Sequence, residues 1–479
     1  MTEKKILKRL LAGTLILTLT VGLVACNRIS DKTGADSLNR NIKVTDQTIK
    51  SSDPLNNYII TGELIPNEEK LVANEVISYV NTEGKALEEV YFHIYPNAFK
   101  TKETAPFLFD SFDQAYPGGF EEGYIDITSV SVDGAALNIG TDTVISGKDS
   151  TILKVDLPAA IEPTKRAEIK IGFELKLPPA TERFGIGSGY VNLGNWYPIA
   201  AVYDQSGWNL DPYYPIGDPF YSDVADYSVT ISAPEKYTLA SSGTLTNMIK
   251  QDNKNVWSFG AYSMRDFAIV GSDRYKTSEA MAGNTKVISY YYTGDEKLGE
   301  RALEFGVKSI EVFNKRFGLY PYPTYSVVET AFPSGMEYPG LVYISKDLYK
   351  NEDTLDGLAL TTIHETGHQY FYALVGDDQI DEAWLDEGFA TYSEIAYLEE
   401  YLDKNSAKEQ SDYNVRSGEA SISSNVFDGN VVKPLSSYTN CSDYGPAVYS
   451  VGATLLIKMR ESLGDETFWK IMNTYFNEY

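Results

Sequence analysis

Cysteine and histidine are nearly missing from this 479-residue chain, which has two of the first and three of the second. One of the cysteines, Cys26, closes an N-terminal apolar run, so the body of the protein holds Cys441 alone. An intrachain disulfide is therefore excluded, and stability must rest on burial. Positive charge is scarce too, with 41 Lys and Arg against 67 Asp and Glu and a formal net charge of −26. Phosphate neutralisation needs clustered basic side chains, so a nucleic-acid partner is excluded. The longest apolar run, from Leu10 to Ala25, is shorter than the ~20 residues a spanning helix needs. There is no internal repeat.

What remains is the composition of a folded protein, 43% hydrophobic and 13% aromatic. At this length two domains plus a leader are expected. Lys4, Lys5, Lys8 and Arg9 precede the apolar run as in a secretory signal. It ends in Leu23-Val24-Ala25-Cys26, which resembles a bacterial lipobox. That resemblance implies a lipoprotein signal over 1–26, a lipid on Cys26 as the membrane partner, and an extracytoplasmic protein anchored to the bacterial cell membrane. Residues 27–55 are rich in Ser, Asp, Asn, Thr and Lys and read as a flexible linker.

From 56 to 275 the apolar residues alternate, as at Ile169, Ile171, Phe173, Leu175 and Leu177. An antiparallel β-sheet domain with one solvated face follows. After 275 the period changes, with strand-like stretches at Val287–Tyr292, Tyr325–Glu329 and Leu341–Ser345 around a helical pattern through Leu303, Val307, Ile310, Phe313 and Phe317. From Leu355 the spacing is helical to the end, so 276–479 reads as an α/β domain that becomes mostly helical. The last pattern, Phe468, Trp469, Ile471, Met472 and Tyr475, leaves a C-terminal continuation open.

Two of the three histidines fall in His364-Glu365-Thr366-Gly367-His368, an HExxH sequence in a helical stretch. Four residues apart, the imidazoles share one helix face, the spacing a common Zn²⁺ needs. Glu365, turned about 100° from His364, falls beside the open position, where it can take a proton from the attacking water. A catalytic site needs a third protein ligand. Glu387, on a second helical stretch beginning near Trp384, is the candidate, and Gly376, Asp377 and Asp378 supply the turn between. Glu394, two turns further, either orients an imidazole or is solvated. The third histidine, His93, alternates in a strand and reads as structural.

This pair of motifs resembles the gluzincin metallopeptidases of the aminopeptidase N family. The resemblance covers roughly 286–479, and the β-domain loosely. It implies a multidomain α+β fold: an N-terminal antiparallel, saddle-like β-sheet domain, then a thermolysin-like, mostly helical catalytic domain. It implies one Zn²⁺ per chain and peptide substrates. Gly335-Met336-Glu337-Tyr338-Pro339-Gly340 is similar to the family's GAMEN segment, which makes Gly335 and Met336 substrate-binding and Glu337 the anchor of the substrate amine. Tyr338 departs from the family's asparagine. Tyr449-Ser450-Val451-Gly452-Ala453 resembles the family's tyrosine motif and implies Tyr449 as oxyanion donor, with Tyr444 as rival. The aromatic run Trp196, Tyr197, Trp208, Tyr213, Tyr214 and Phe220 reads as interdomain packing. The expected activity is that of a zinc aminopeptidase; an endopeptidase and a non-catalytic surface binding lipoprotein are the alternatives.

Overall fold

A computed structural model describes residues 54–107 and 111–479. The signal, the lipobox cysteine and nearly all of the expected linker lie outside the described residues. Leu55, at that linker's end, is already tied down, its carbonyl accepting from Arg166 Nη2 at 2.9 Å.

The first half is built from three larger sheets and one two-stranded ribbon. The largest has eight strands, with Asn56–Ile65 and Lys70–Val80 at its centre. Its pairings are antiparallel except one: Asn56–Ile65 runs parallel to Ala225–Pro234. The alternation seen in sequence sets the faces. In Arg166–Lys176, Ile169, Ile171, Phe173 and Leu175 are buried while Arg166, Glu168 and Lys170 are exposed. Burying such a side chain contributes roughly 1.5–3 kcal/mol, so register is strongly specified here.

The second half opens with a five-stranded sheet. Tyr275–Ala282, Thr285–Tyr292, Thr324–Thr330, Leu341–Ser345 and Gly335–Met336 follow in that spatial order, and the two central pairings are parallel. Helix α1 (Glu296–Arg316) crosses between the second and third of these strands and packs on the sheet. It buries Ala302, Phe305, Ile310 and Phe313, the face its 3.6-residue repeat marks out. The helices that follow are α2 (Leu355–His368), α3 (Trp384–Tyr397), α4 (Lys404–Ser423), α5 (Gly452–Leu463) and α6 (Asp465–Glu478). No helix among the described residues is long and apolar enough to cross a membrane.

Small residues let the helices that flank the site approach closely. A Cβ on Gly367 would stand 3.1 Å from the Ala390 Cα, and one on Gly388 would stand 2.9 Å from the Gly452 Cα. Thus α2 meets α3, and α3 meets α5, almost backbone to backbone.

One contiguous apolar core runs through both halves, from Tyr58 to Met472. Two of the side chains that pin the halves together are Tyr338 and Arg265. Tyr338 is fully buried, donates to Asn195 Oδ1 at 2.8 Å and stacks on Phe220. A Cβ on Gly194 would stand 2.0 Å from its hydroxyl oxygen. The departure at 338 is therefore a packing contact with the β half. Arg265 reaches the other way. Its Nε donates to the Tyr372 carbonyl at 3.1 Å and its Nη1 to the Ser222 carbonyl at 2.8 Å. Tyr372 sits at φ 128, a strained conformation for a side-chain-bearing residue. Nη2 of the same arginine lies 1.8 Å from where a Cβ on Gly376 would be.

Candidate active site

Helix α2 carries His364 and His368 one turn apart, and α3 brings Glu387 against them. His364 Nε2 lies 3.2 Å from His368 Nε2, and Glu387 Oε2 lies 3.1 and 3.3 Å from the two. Three ligands held at ~2.0–2.1 Å by a tetrahedral ion would stand ~3.3 Å apart. The triangle in the chain has that size. Its outer nitrogens are spoken for: His364 Nδ1 is 2.9 Å from Glu394 Oε1, and His368 Nδ1 is 3.3 Å from the Phe371 carbonyl. Both rings thus turn Nε2 toward one carboxylate oxygen, and the donor set suits Zn²⁺. Glu394 is held in turn by Gln410 Nε2 at 2.8 Å, so it orients an imidazole and is not a solvated surface acid. His93, by contrast, is buried in its strand and stacked on Tyr95.

Electrostatics follow the geometry. Burial opposes charge on Glu387, yet its bonds to the two imidazoles pull the carboxyl down to about 2. Burial opposes charge on His364 as well, and bonds to Glu387 and Glu394 carry it well above its ordinary value. For Glu365 burial wins over both histidines and pushes the carboxyl up to about 8. Its position explains Gly335, because a Cβ there would stand 1.9 Å from Glu365 Oε1. Gly335 leaves room for that carboxylate.

Met336 is fully buried, with its sulfur taking Arg183 Nε at 2.8 Å. That contact ties the Gly335–Met336 strand to the β half. Glu337 stands beside one of the two histidines. One of its carboxylate oxygens, a ring nitrogen of His368 and an oxygen of Asp386 all lie within 4.8 Å of one another. Burial, then Asp218 and Glu387, push its carboxyl well above the usual range.

Tyr449 donates to Glu387 Oε1 at 2.5 Å, and its ring lies 5.6 Å from that of His364. It sits in a π-helical turn, Pro446–Val451, a distortion often found at functional sites. Tyr444 stands one ring further out, 6.2 Å from Tyr449. The structure brings Tyr449, and not its rival, to the ligands.

Sequence reasoning missed several residues. Gln369 clamps the segment over the site, donating to the Glu337 and Tyr338 carbonyls at 3.3 and 3.1 Å and accepting from Gly340 N at 2.7 Å. Its place next to His368 was the available signal. Arg183 and Asp218 form a buried ion pair at 2.5 Å, with the guanidinium between Phe220 and Phe332. Nothing in their local sequence marks them.

An HExxH helix and a following carboxylate face one point beneath a five-stranded mixed sheet, an arrangement that could hold a divalent metal ion. Residues 301–479 match the peptidase family M1 domain. It is 30% identical to mitochondrial aminopeptidase 2 of Saccharomyces cerevisiae across 53% of this chain and 28% of that protein. It is 24% identical to aminopeptidase N of Lactococcus lactis subsp. lactis across 59% of this chain and 35% of that protein. The chain thus spans about a quarter to a third of the curated relatives it matches. Among solved structures, the M1 zinc metallopeptidase of Deinococcus radiodurans shares the fold, with TM-score 0.61 and 16% identity over 88% of this chain and 86% of that one. A mutant of that enzyme bound to a Tyr-Ser-Ala substrate aligns with TM-score 0.58 and 15% identity, again over 88% and 86%.

Proposed function

We propose that the protein is a zinc-dependent aminopeptidase, a peptide hydrolase that removes residues from free N-termini. The observation that carries this reading is the closeness of Glu337 to the metal ligands, one carboxylate oxygen lying within 4.8 Å of a His368 ring nitrogen. An ammonium seated on that oxygen brings the carbonyl of its own residue, and not a later one, to the triad. A buried anion at that distance supports exopeptidase register, since a chain interior has no cation to offer it.

When bound, Zn²⁺ supplies Lewis-acid polarisation and lowers the pKa of water. The chain's own groups account for the rest. His364, His368 and Glu387 hold the ion, while Glu394 and the Phe371 carbonyl fix the imidazoles. Glu365 takes the proton of the attacking water and returns it to the leaving amine. The Tyr449 hydroxyl, which donates its one proton to Glu387 in the resting site, would turn that proton to the developing oxyanion. The aminopeptidase names of the relatives and the peptide bound by a structural neighbour support a peptide substrate. The run before Cys26 supports a lipid-anchored, extracytoplasmic placement, which Cys26→Ala should abolish as release from the membrane fraction.

A panel of aminoacyl-coumarin substrates and their N-acetylated forms tests the activity, with a chelator and zinc add-back. Cleavage of the free-amine forms alone, lost and restored with zinc, is the expected result. Equal cleavage of blocked forms would turn the reading to an endopeptidase. One equivalent of zinc with no hydrolysis would turn it to a binding protein.

A further inference from the structure

The reading of Glu337 as the amine anchor, on which this inference rests, leaves open what keeps that carboxylate in place. Gln379 begins the short helix Gln379–Glu382, and the Asp378 side chain caps that helix by accepting from Ile380 N and Asp381 N. Its Nε2 lies 3.0 Å from Glu337 Oε1 and 2.6 Å from Asp386 Oδ2. Asp386 Oδ1 in turn accepts from the Glu387 backbone N–H at 2.8 Å. A line of hydrogen bonds therefore runs from the anchor to the main chain of a metal ligand. All of its side chains are buried, Gln379 at 1% exposure.

Carboxylate oxygens accept, so the nitrogen, with its two hydrogens, points at both of them. Glu337, His368 and Asp386 are spaced like an ion site, and the amide supplies there the donors that a second cation would otherwise have to replace. The carbonyl end, Oε1, is buried and has no hydrogen-bond partner among the described residues. A buried acceptor left without a donor is costly, and an ammonium offers three N–H groups where Glu337 Oε1 takes one.

We propose that Gln379 is a positioning residue for substrate recognition: its amide nitrogen fixes Glu337 to the metal-ligand helix through Asp386, and its carbonyl accepts a second N–H of the substrate's terminal ammonium. Neither the HExxH spacing nor the Glu337 motif points to this residue. The chemical class it selects is a primary α-amine; an acyl or hydroxyl group in that place supplies too few donors.

Two zinc-directed inhibitors separate this role from general damage: an amino-acid hydroxamate and the matching des-amino hydroxamate, measured on wild type and Gln379→Leu at equal zinc content. Gln379→Ala replaces the leucine variant if that one does not fold. The amino hydroxamate should weaken roughly tenfold or more, the usual size of a lost hydrogen bond to a charged group, while the des-amino compound stays within about twofold. With free-amine substrates KM should rise more than kcat falls. Equal weakening of both inhibitors would overturn the proposal, and so would no weakening of either. If wild type itself showed no preference for the amino compound, the amine-anchor reading would fall first and this inference with it.

Discussion

Two groups of buried acids stand side by side in the cleft, and their carboxyls shift in opposite directions. Glu387 lies among imidazoles and is pulled down to about 2. Glu337, Asp386 and Asp218 lie mainly among other acids, and burial followed by charged neighbours drives the first two well up and the third up. For Asp218 the adjoining Arg183 works against burial and does not cancel it. The first group carries its own counter-charges and is ready for an ion. The second has Arg183 alone, paired with Asp218, and leaves its remaining acids for the charge a substrate brings. One fold thus makes a cation site and an ammonium site from the same residue type, distinguished by what surrounds each acid.

Substitutions can break that contrast, beginning with the residue between the two groups. Glu365→Gln should lower kcat by roughly 10²–10⁴ with zinc content unchanged, the usual range for a general base. Near-normal turnover would remove Glu365 from proton transfer. Glu337→Gln should lower kcat/KM on free-amine substrates by about 10–100-fold, mostly through KM, and leave zinc affinity alone. A fall in zinc affinity of the same size would mean that the two groups are one. Glu394→Gln should do the reverse, weakening zinc roughly 10–100-fold in chelator competition while KM of the loaded enzyme holds.

The smallest effect lies outside both groups and serves as the reference. Glu329 accepts from Tyr292 N at 2.8 Å, and burial pushes its carboxyl up to about 8 from an ordinary 4.5. Its protonated form stabilises the fold fully below about 4.5, and that contribution is lost as pH rises through about 8. Glu329→Gln keeps an acceptor for Tyr292 N. Between pH 6 and 9 its Tm should fall less than that of wild type, by on the order of 1–3 °C. Parallel curves would show that this buried acid does not titrate.

How far the sequence reached follows from the same contrast. A 3.6-residue repeat fixes His364 against His368 on one helix and Glu387 against Glu394 on the next. Spacing therefore pointed to the two histidines and Glu387, and left Glu394 open between an imidazole partner and a solvated acid. The alternating strands were legible from a period of two, and Leu341–Ser345, buried at every position, from a short run of apolar, β-branched and aromatic residues. Glu337 and Tyr449 needed a family resemblance, because tertiary packing and a π-helical turn bring them to the ligands. Gln379, Arg183 and Asp218 left no periodic trace at all. Nor did the parallel pairing of Asn56–Ile65 with Ala225–Pro234, since both partners alternate as antiparallel strands do.

Arg265 and Gly376 make the two halves hard to separate. Any side chain at 376 evicts the guanidinium, and losing the guanidinium leaves the twisted Tyr372 carbonyl bare beside the loop that steadies His368. Transplanting the helical half onto a foreign scaffold would therefore have to carry residue 265 along, and a side chain at 376 requires a smaller residue at 265.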